Sequence, residues 1–500
     1  MKKACMIKLL SVILLIATFV TALASCQKEP VSPKDTTPNS NGPADTAEVK
    51  ADLPDMDWGD TVFHVLHWEN PAWPERACKD IAVEDQTGDP INDAVYLRNS
   101  ALKQKYNFTI ELETMEQNAL IDNLTKAINT NDYYYDLVYA RLNDVPNTVM
   151  KGYFLDFETS FTKYVDLDKP YWDQDTRKDL SFSNKVYLMA SSINISDEDA
   201  TTALLFNKTI AEDSKINVSE LYKTAADGKW TMDLLYEYMR QGKRDLNGDQ
   251  VIDENDQYGF LGGHDVMMSF FFGGGGRMTE KDDNDLPVYT FATESNYNIV
   301  FKICDIMYDE AFLNHHLISN VADDYYRSLF ADKKGLFYWS RMDDCTALRS
   351  VEDFDFGILP IPKYSESQEN YISLVSQHTM GLMSVLNIVP DRDRVGFIME
   401  AMAGASYYKL KEAYYDKALK GRGTRDFESQ DMLDLIFAHR SFDVGEIFDF
   451  GGFAGAFLKF AATKDKNIAS MYGKYETKIN KSIESFQEQI EKLDNLEAEA

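Results

Sequence analysis

Thr61-Val-Phe-His-Val-Leu-His67, followed by Asp93 to Tyr106, Phe108-Thr-Ile-Glu-Leu112 and Tyr135-Asp-Leu-Val-Tyr139, is the stretch that decides the fold. The first segment alternates as a strand and ends at Trp68-Glu69-Asn70. Val95, Leu97, Leu102 and Tyr106 recur at helical spacing, Phe108 to Leu112 reads as a second strand, and Leu120 to Ile128 is again helical. Tyr135 to Tyr139 reads as a short buried strand, followed by a loop over Ala140 to Asp144 and a helical Val145 to Lys151. This alternation predicts a mostly parallel sheet with helices on both faces. Ligands of such sheets bind beyond the carboxyl ends of the strands, which puts Trp68, Glu69, Arg141, Asn143 and Asp144 where a cleft would form. A local role as loop residues is the competing reading for each.

The pattern continues downstream. Val186 to Ala190 and Ala203 to Phe206 read as two strands joined by a polar loop. Trp230 to Arg240 is a helix with Thr231 as its N-cap, and Asn296 to Tyr308, Asp323 to Phe330 and Arg394 to Lys409 are further helices. Gly335 to Trp339, Phe354 to Leu359 and Met380 to Val385 read as strands. The last segment, Asn480 to Leu496, is a charged amphipathic helix with Ile483, Phe486, Ile490 and Leu493 on one side. It spans only about two heptads, so it is expected to pack on the body. No internal repeat is present.

The 500 residues exceed what one core usually accommodates, so two lobes are the default expectation. Hydrophobic content of 44% supports real cores, and the 28 Tyr and 29 Phe suit sugar or peptide ligands where they are not core. The formal charge of -31 disfavours nucleic acid and anionic lipid headgroups as partners.

Met1 to Cys26 reads as a secretory signal: Lys2, Lys3 and Lys8, an apolar run from Leu9 to about Val20, then Leu23-Ala24-Ser25-Cys26. It is too short and one-sided for a spanning helix. Leu-Ala-Ser-Cys resembles the cleavage site of bacterial lipoproteins, which implies that residues 1–25 are removed and that Cys26 carries the lipid, palmitate included. An ordinary secretory signal with an incidental cysteine is the alternative. Loss of the three lysines would leave a net charge of -34, so membrane contact would come through the lipid alone. Residues 26–55, with Pro30, Pro33, Pro38 and Pro43 among polar residues, read as a disordered tether, because so few apolar groups cannot offset the ordering entropy. Together these features predict a chain anchored to the cell membrane on its extracytoplasmic face. Cys78, Cys304 and Cys345 remain, without Cys-x-x-Cys spacing; one disulfide and buried free thiols are both open.

The sharpest chemical motif is the twelve-residue loop 245–256, Asp-Leu-Asn-Gly-Asp-Gln-Val-Ile-Asp-Glu-Asn-Asp. Asp245, Asn247, Asp249, Asp253 and Asp256 stand at positions 1, 3, 5, 9 and 12, with the Val251 carbonyl at position 7. A hard cation wants six to eight oxygens, and this spacing wraps side chains around one point, so a structural Ca²⁺ is expected. The loop resembles the EF-hand loop, although Gln250 replaces the usual Gly at position 6 and Asp256 is shorter than the usual Glu. An acidic solvated loop is the alternative.

Catalytic signatures are absent: no Gly-x-Ser-x-Gly, no His-Glu-x-x-His and no paired-cysteine zinc pattern. Gly273 to Gly276 lacks the Lys-Ser or Lys-Thr of a phosphate loop, and since adjacent side chains on a helix or strand point apart, His315-His316 is not expected to form a metal pair. With 82 acidic residues, carboxylate pairs of glycosidase type arise by chance, and no pair stands out.

Asp227-Gly-Lys-Trp230-Thr231 before a helix, then the calcium-type loop, then Gln257-Tyr-Gly259-Phe, resembles the solute-binding lipoproteins of bacterial ABC importers, the family 1, maltose-binding-like group. Leu205-Phe-Asn207-Lys208, Gly357-Ile-Leu-Pro360-Ile-Pro362-Lys363, Tyr371-Ile-Ser-Leu, Arg425-Asp426-Phe-Glu-Ser429 and Phe442-Asp443-Val-Gly445 follow in matching order. The resemblance implies an α/β fold of periplasmic-binding-protein-like type II: two lobes, a central ligand cleft and crossing hinge segments. On that pattern the first lobe takes 57–198 and 375–412, and the second takes 199–374 and 413–500. The loop Arg141-Leu-Asn143-Asp144 matches a ligand-contacting loop. Tyr338-Trp339 matches a strand that supplies a stacking aromatic, Phe450-Gly-Gly-Phe453 matches a later aromatic site, and His378 is a further candidate. Aromatic faces with Asp, Asn, Glu and Arg form the expected sugar pocket.

The implied function is that of a non-catalytic, monomeric carrier, presenting a carbohydrate, an oligosaccharide by preference, to the transmembrane subunits of an ABC permease. A tethered carbohydrate-active hydrolase with structural calcium, or a binder of peptides or lipid derivatives with the same fold, are the alternatives.

Overall fold

The computed structural model describes residues 49–73, 76–253, 255–313, 324–419 and 427–499. The signal 1–25, Cys26, most of the tether, His315-His316 and Arg425-Asp426 lie outside the described residues.

Strand β1 (Thr61–Glu69) forms as the alternation predicts and is central in its sheet. Helix α1 (Pro90–Tyr106) starts where the Asp89 carboxylate accepts from the amides of Ile91 and Asn92 with Pro90 at the first position, and it ends at Asn107 with φ 55°. Leu97 is exposed, and the buried face is carried by Ile91, Val95, Arg98, Leu102 and Tyr106 instead. Strand β2 (Phe108–Glu116), helix α2 (Gln117–Thr130) and strand β3 (Leu137–Arg141) complete the unit. β1 runs parallel to both β2 and β3, so it is covered on both faces: Phe63 and Val65 join one core, Leu66 and Trp68 another.

The chain then builds a second sheet from β4 (Thr202–Asn207), β5 (Tyr258–Leu261), β6 (Phe312–Leu313), β7 (Gly335–Arg341) and β8 (Phe356–Leu359), in the order β8-β4-β7-β5-β6. β5 is parallel to β6 and β7, but β4 is antiparallel to both of its neighbours. The first sheet receives a return strand in the same way. β9 (Gly381–Ser384) lies antiparallel to β3, giving the order β9-β3-β1-β2. The expected parallel sheets are therefore mixed, because each lobe contains one strand delivered from the other side. Val186 to Ala190 forms a single bridge, Met189 to Met383, and no strand.

Three segments cross between the two sheets. The first passes through Ser196–Ala200 into β4, and the second returns through Ser373–Leu374 towards β9. They run side by side: Thr201 bridges Val375, Thr202 Oγ1 donates to the Leu374 carbonyl at 3.0 Å, and the Ser376 amide donates to the Ala200 carbonyl at 2.9 Å. The third is the long helix α3 (Arg392–Leu419), which buries Val395, Phe397, Ile398 and Met402 in a first-sheet core and Leu410 and Tyr414 in a second-sheet core. A final helix, α4 (Ile468–Glu499), lays Phe486, Ile490 and Leu493 on the body. Cys78, Cys304 and Cys345 are all free thiols.

Behind the crossings, Arg440 reaches both Asp173 and Asp197. The side chains of Arg440, Asp173 and Asp197 are only 10%, 11% and 4% exposed, so these charges have little water to fall back on. Removing one partner of a buried ion pair leaves the others uncompensated. Arg440→Ala is expected to lower the free energy of unfolding by about 3–5 kcal/mol, read from denaturant titration.

Candidate functional site

The ends of β1 and β3 and the start of β9 meet the crossing strands at a cleft. β3 ends at Arg141, and a single 3₁₀ turn, Leu142–Asp144, follows it. That turn is tied to the segment before β9: the Leu142 amide donates to the Met380 carbonyl at 3.0 Å, and the Asn143 amide to that of Gln377 at 3.1 Å. Asn143 Nδ2 stands 3.2 Å from Nδ1 of His378. Among the described residues the Asn143 side-chain oxygen Oδ1 is buried without a hydrogen-bond partner.

Two adjoining cavities of about 250 Å³ each occupy the cleft. Together they fall in the roughly 300–1,000 Å³ span of small-molecule sites. Both are lined by Asp265, Trp339, Ser376 and His378. One extends to Asn143, Gln377, Glu446 and Asp449, and the other to Tyr338, Arg76, Arg341 and His264. Trp339 sits on β7 opposite Leu204 of β4 and presents its indole to both cavities. Its Nε1 is buried and unpartnered, a donor with an aromatic face beside it.

The structure sorts the sequence candidates. Asn143, Tyr338, Trp339 and His378 line the cavities, although the Tyr338 hydroxyl is already committed to Asp344 at 2.6 Å. Trp68, 4% exposed, lines a smaller neighbouring cavity of about 40 Å³. Gly381 leaves room for its indole; a Cβ there would come within 2.8 Å of Nε1. Arg141 stacks over Trp68 at 5.5 Å and pairs with Asp144 at 2.6 Å, so these two are spent on each other and stand outside the cavity walls. Glu69, the last residue of β1, lines none of these cavities. Phe450 and Phe453 are core residues: Asp449, Gly451 and Gly452 at positive φ turn this segment so that Phe450 meets Phe486 and Phe453 meets Phe291 and Tyr472. Ala454, Gly455 and Leu458 of the same segment face the cavity instead.

Sequence reasoning missed Asp265, Gln377 and Glu446. Glu446 lies in a short helix, Val444–Ile447, whose N-cap Asp443 accepts from the Gly445 and Glu446 amides and, from across the chain, from Met278 and Thr279. Glu446 is 5% exposed and accepts from Gln377 Nε2 at 3.1 Å. Burial first, then Asp443, pushes its carboxyl up to about 8, with Gln377 opposing and Asp265 adding. The Phe442-to-Gly445 stretch was visible in sequence, but a lone Glu in so acidic a chain carries no mark of burial. His378 opens to the cleft yet is crowded by protein; that desolvation holds its pKa below the ordinary value, Asp265 opposes, and Arg141 and Arg341 add to it.

In the loop 245–256, Gln250 adopts φ 68°, the conformation usually given to Gly there. The side chains turn onto the loop's own amides: Asp245 accepts from Gly248 and Gln250, Asp249 from Val251, and Asp256 from Leu246 and Asp253. Among the described residues no group of three or more His, Cys, Asp or Glu is gathered to hold a metal ion. The donor set suits a hard cation, and the backbone turn is in place, but the carboxylates do not converge in this arrangement.

No protein-family model matches the chain. No curated protein matches it either. Solved structures do. UspC of M. tuberculosis is similar at 11% identity with a TM-score of 0.57, over 84% of this chain and 99% of that one. The ABC substrate-binding protein Lmo0181 from Listeria monocytogenes, in complex with cycloalternan, is similar at 12% identity and TM-score 0.54, over 86% and 99%. UgpB from Mycobacterium tuberculosis, in complex with glycerophosphocholine, is similar at 11% and 0.53, over 88% and 99%. The fold is thus that of the solute-binding proteins of ABC importers: α/β, periplasmic-binding-protein-like type II, two lobes about a central cleft.

A carboxyl whose folded pKa is raised adds stability below its unfolded pKa and loses it as pH rises through the folded value. For Glu446 that window runs from about 4.5 to about 8. Wild type should therefore lose ground to Glu446→Gln across this range, by on the order of 1 kcal/mol per pH unit, in parallel denaturant titrations at stepped pH.

Proposed function

We propose that the chain is the substrate-binding component of an ABC importer, that it captures a carbohydrate, by preference an oligosaccharide, and that it catalyses no reaction. The observation that carries this reading is the unpartnered Trp339 indole between two connected cavities, with Asn143, Gln377 and Asp265 around it. Sugars offer apolar C–H faces to such a ring and hydroxyls to such amides and carboxylates. Lmo0181, of like fold, holds cycloalternan. UgpB holds glycerophosphocholine, but a phosphate would face Asp265, Glu446 and Asp449 here, which disfavours that ligand class.

In this reading, residues 57–198 with 375–412 and residues 199–374 with 413–500 move as two bodies about the crossings, and closure traps the ligand for delivery to a permease. The chain acts as a monomer. Cys26 carries the lipid that holds it to the outer face of the cell membrane, and loop 245–256 takes one structural Ca²⁺.

A thermal-shift panel of neutral oligosaccharides tests the central claim, since a ligand at 100 times its Kd should add about 2.7 kcal/mol. Trp339→Ala should weaken the best sugar by tenfold or more, about 1.4 kcal/mol, in titration calorimetry. Turnover of any glycan by the purified chain would overturn the carrier reading in favour of a hydrolase. Ca²⁺ added to chelator-treated protein should raise Tm; unchanged melting with no bound Ca²⁺ overturns the metal. Cys26→Ser should abolish incorporation of labelled palmitate.

A further inference from the structure

We propose that the cavity between Trp339 and Glu446 selects a ligand carrying a positive charge, of the class of an amino sugar with a free, protonated amine, and rejects acidic sugars. The inference rests on the carbohydrate reading for its sugar part alone; the charge part stands on the cavity wall.

Three carboxyl groups face this cavity: Asp265, Glu446 and Asp449. None forms an ion pair with a lysine or arginine among the described residues; the basic groups close by are imidazoles, His264 at 4.0 Å from Asp265 and His378 in the cavity wall, whose protonation burial disfavours. Among the described residues no lysine or arginine lines the cavity. Glu446 is the buried member, and among the described residues its side chain is engaged only at Oε1, by Gln377. A carboxyl this buried, with one oxygen unengaged in a cavity wall, can take up a donor that a ligand brings, giving up its own proton where it holds one. Asp265, partly exposed in the first turn of the helix Asp265–Gly273, lines the same cavity.

The neighbouring cavity differs. Arg76 and Arg341 line it, but Asp343 answers both, at 2.8 and 3.5 Å, and Asp344 stands in its wall. Charge is balanced there and unbalanced beside Glu446. An ammonium group placed between Asp265 and Glu446 would bring three donors to two carboxyls and neutralise the excess. A neutral hydroxyl could donate to one oxygen but would leave the repulsion. A uronate or sulfate would add to it. Burial with Asp443 and Asp265 nearby raises the Glu446 carboxyl in the free protein, and a cation beside it reverses that push, so binding should release a proton.

Glucosamine oligomers, their N-acetylated counterparts, neutral glucose oligomers of equal length, uronate oligomers and a simple diamine are titrated calorimetrically in two buffers of different ionisation enthalpy. The expected result is at least tenfold tighter binding of the free amine than of its acetylated form, with proton release and no uronate binding. Asp265→Asn and Glu446→Gln should each remove most of that preference, bringing the free amine and its acetylated form to within a few-fold of each other whatever the change in overall affinity; Asp265, on the more exposed side, tests the idea even if the Glu446 variant fails to fold. Equal affinity for amine and acetylated sugars, or binding of uronates, overturns the charge inference and leaves the sugar reading standing. Binding of the diamine with no sugar at all overturns the sugar reading and leaves the charge inference. Binding of nothing in the panel overturns both.

Discussion

Arg440, between Asp173 and Asp197, is the contact on which the two-lobed arrangement depends. Asp173 caps the short helix Gln174–Asp179, Asp197 lies in the turn that feeds β4, and Arg440 sits in a strand pair with Ser373, at the return crossing. One guanidinium therefore joins the body of the first lobe to both crossing strands. It is also the kind of contact that specifies geometry more than it stabilises. Buried ion pairs offset their own desolvation only when the geometry is good, and a shift of the crossing would expose each charge to an apolar surround. Ser441, next in sequence, pairs with Leu374, whose carbonyl accepts from Thr202. The charge behind the crossing and the hydrogen bonds within it thus hold the same two strands.

That fixed crossing explains where the cavities lie. Thr202, Leu374 and Ser376 belong to the crossing strands and line the cleft floor. Asn143 and His378 come from the side of β3 and β9, and Trp339, Asp265 and Glu446 from the other. The floor is rigid because its backbone groups are paired, whereas the walls stand on separate sheets. A solute touching both walls makes contacts that exist only when the walls are near, and that difference in contacts is the sole means by which it can favour closure.

Much of the fold was legible because its signals are local. β1, α1, β2, α2 and β3 follow from periodicity, and the Thr231 cap follows from side-chain chemistry at a helix start, whereas the Asp89 cap and the first turn of α1 lie ahead of the periodic stretch that began at Asp93. Even the stretches scattered through the second half prove to be neighbours: the Trp230 indole donates to Pro360, Tyr371 donates to the Ala225 carbonyl, and Lys363 pairs its amide with Trp230. Direction of pairing was not legible. Nothing in Ala203 to Phe206 says that β4 runs against both neighbours, since that is decided by a crossing strand arriving from the far side.

The candidate site shows the same division more sharply. Asn143 could be named because a polar turn after a strand already suggests its setting, and Trp339 because Tyr338-Trp339 resembles a strand that supplies a stacking aromatic. Phe450 and Phe453 look equally inviting, yet three departures into positive φ, at Asp449, Gly451 and Gly452, rotate both rings onto α4, where Phe486 and Tyr472 receive them. The same turn exposes Ala454 and Gly455 to the cavity, so the wall there is small and smooth and its chemistry falls to Glu446. A carboxyl among 82 acids acquires meaning only from what surrounds it. Here the surroundings are Asp443 at the start of the same short helix, Gln377 from a distant part of the sequence, and the cavity itself. The property that makes Glu446 distinctive, burial without a countercharge, belongs to the fold and could not have been read from the residue.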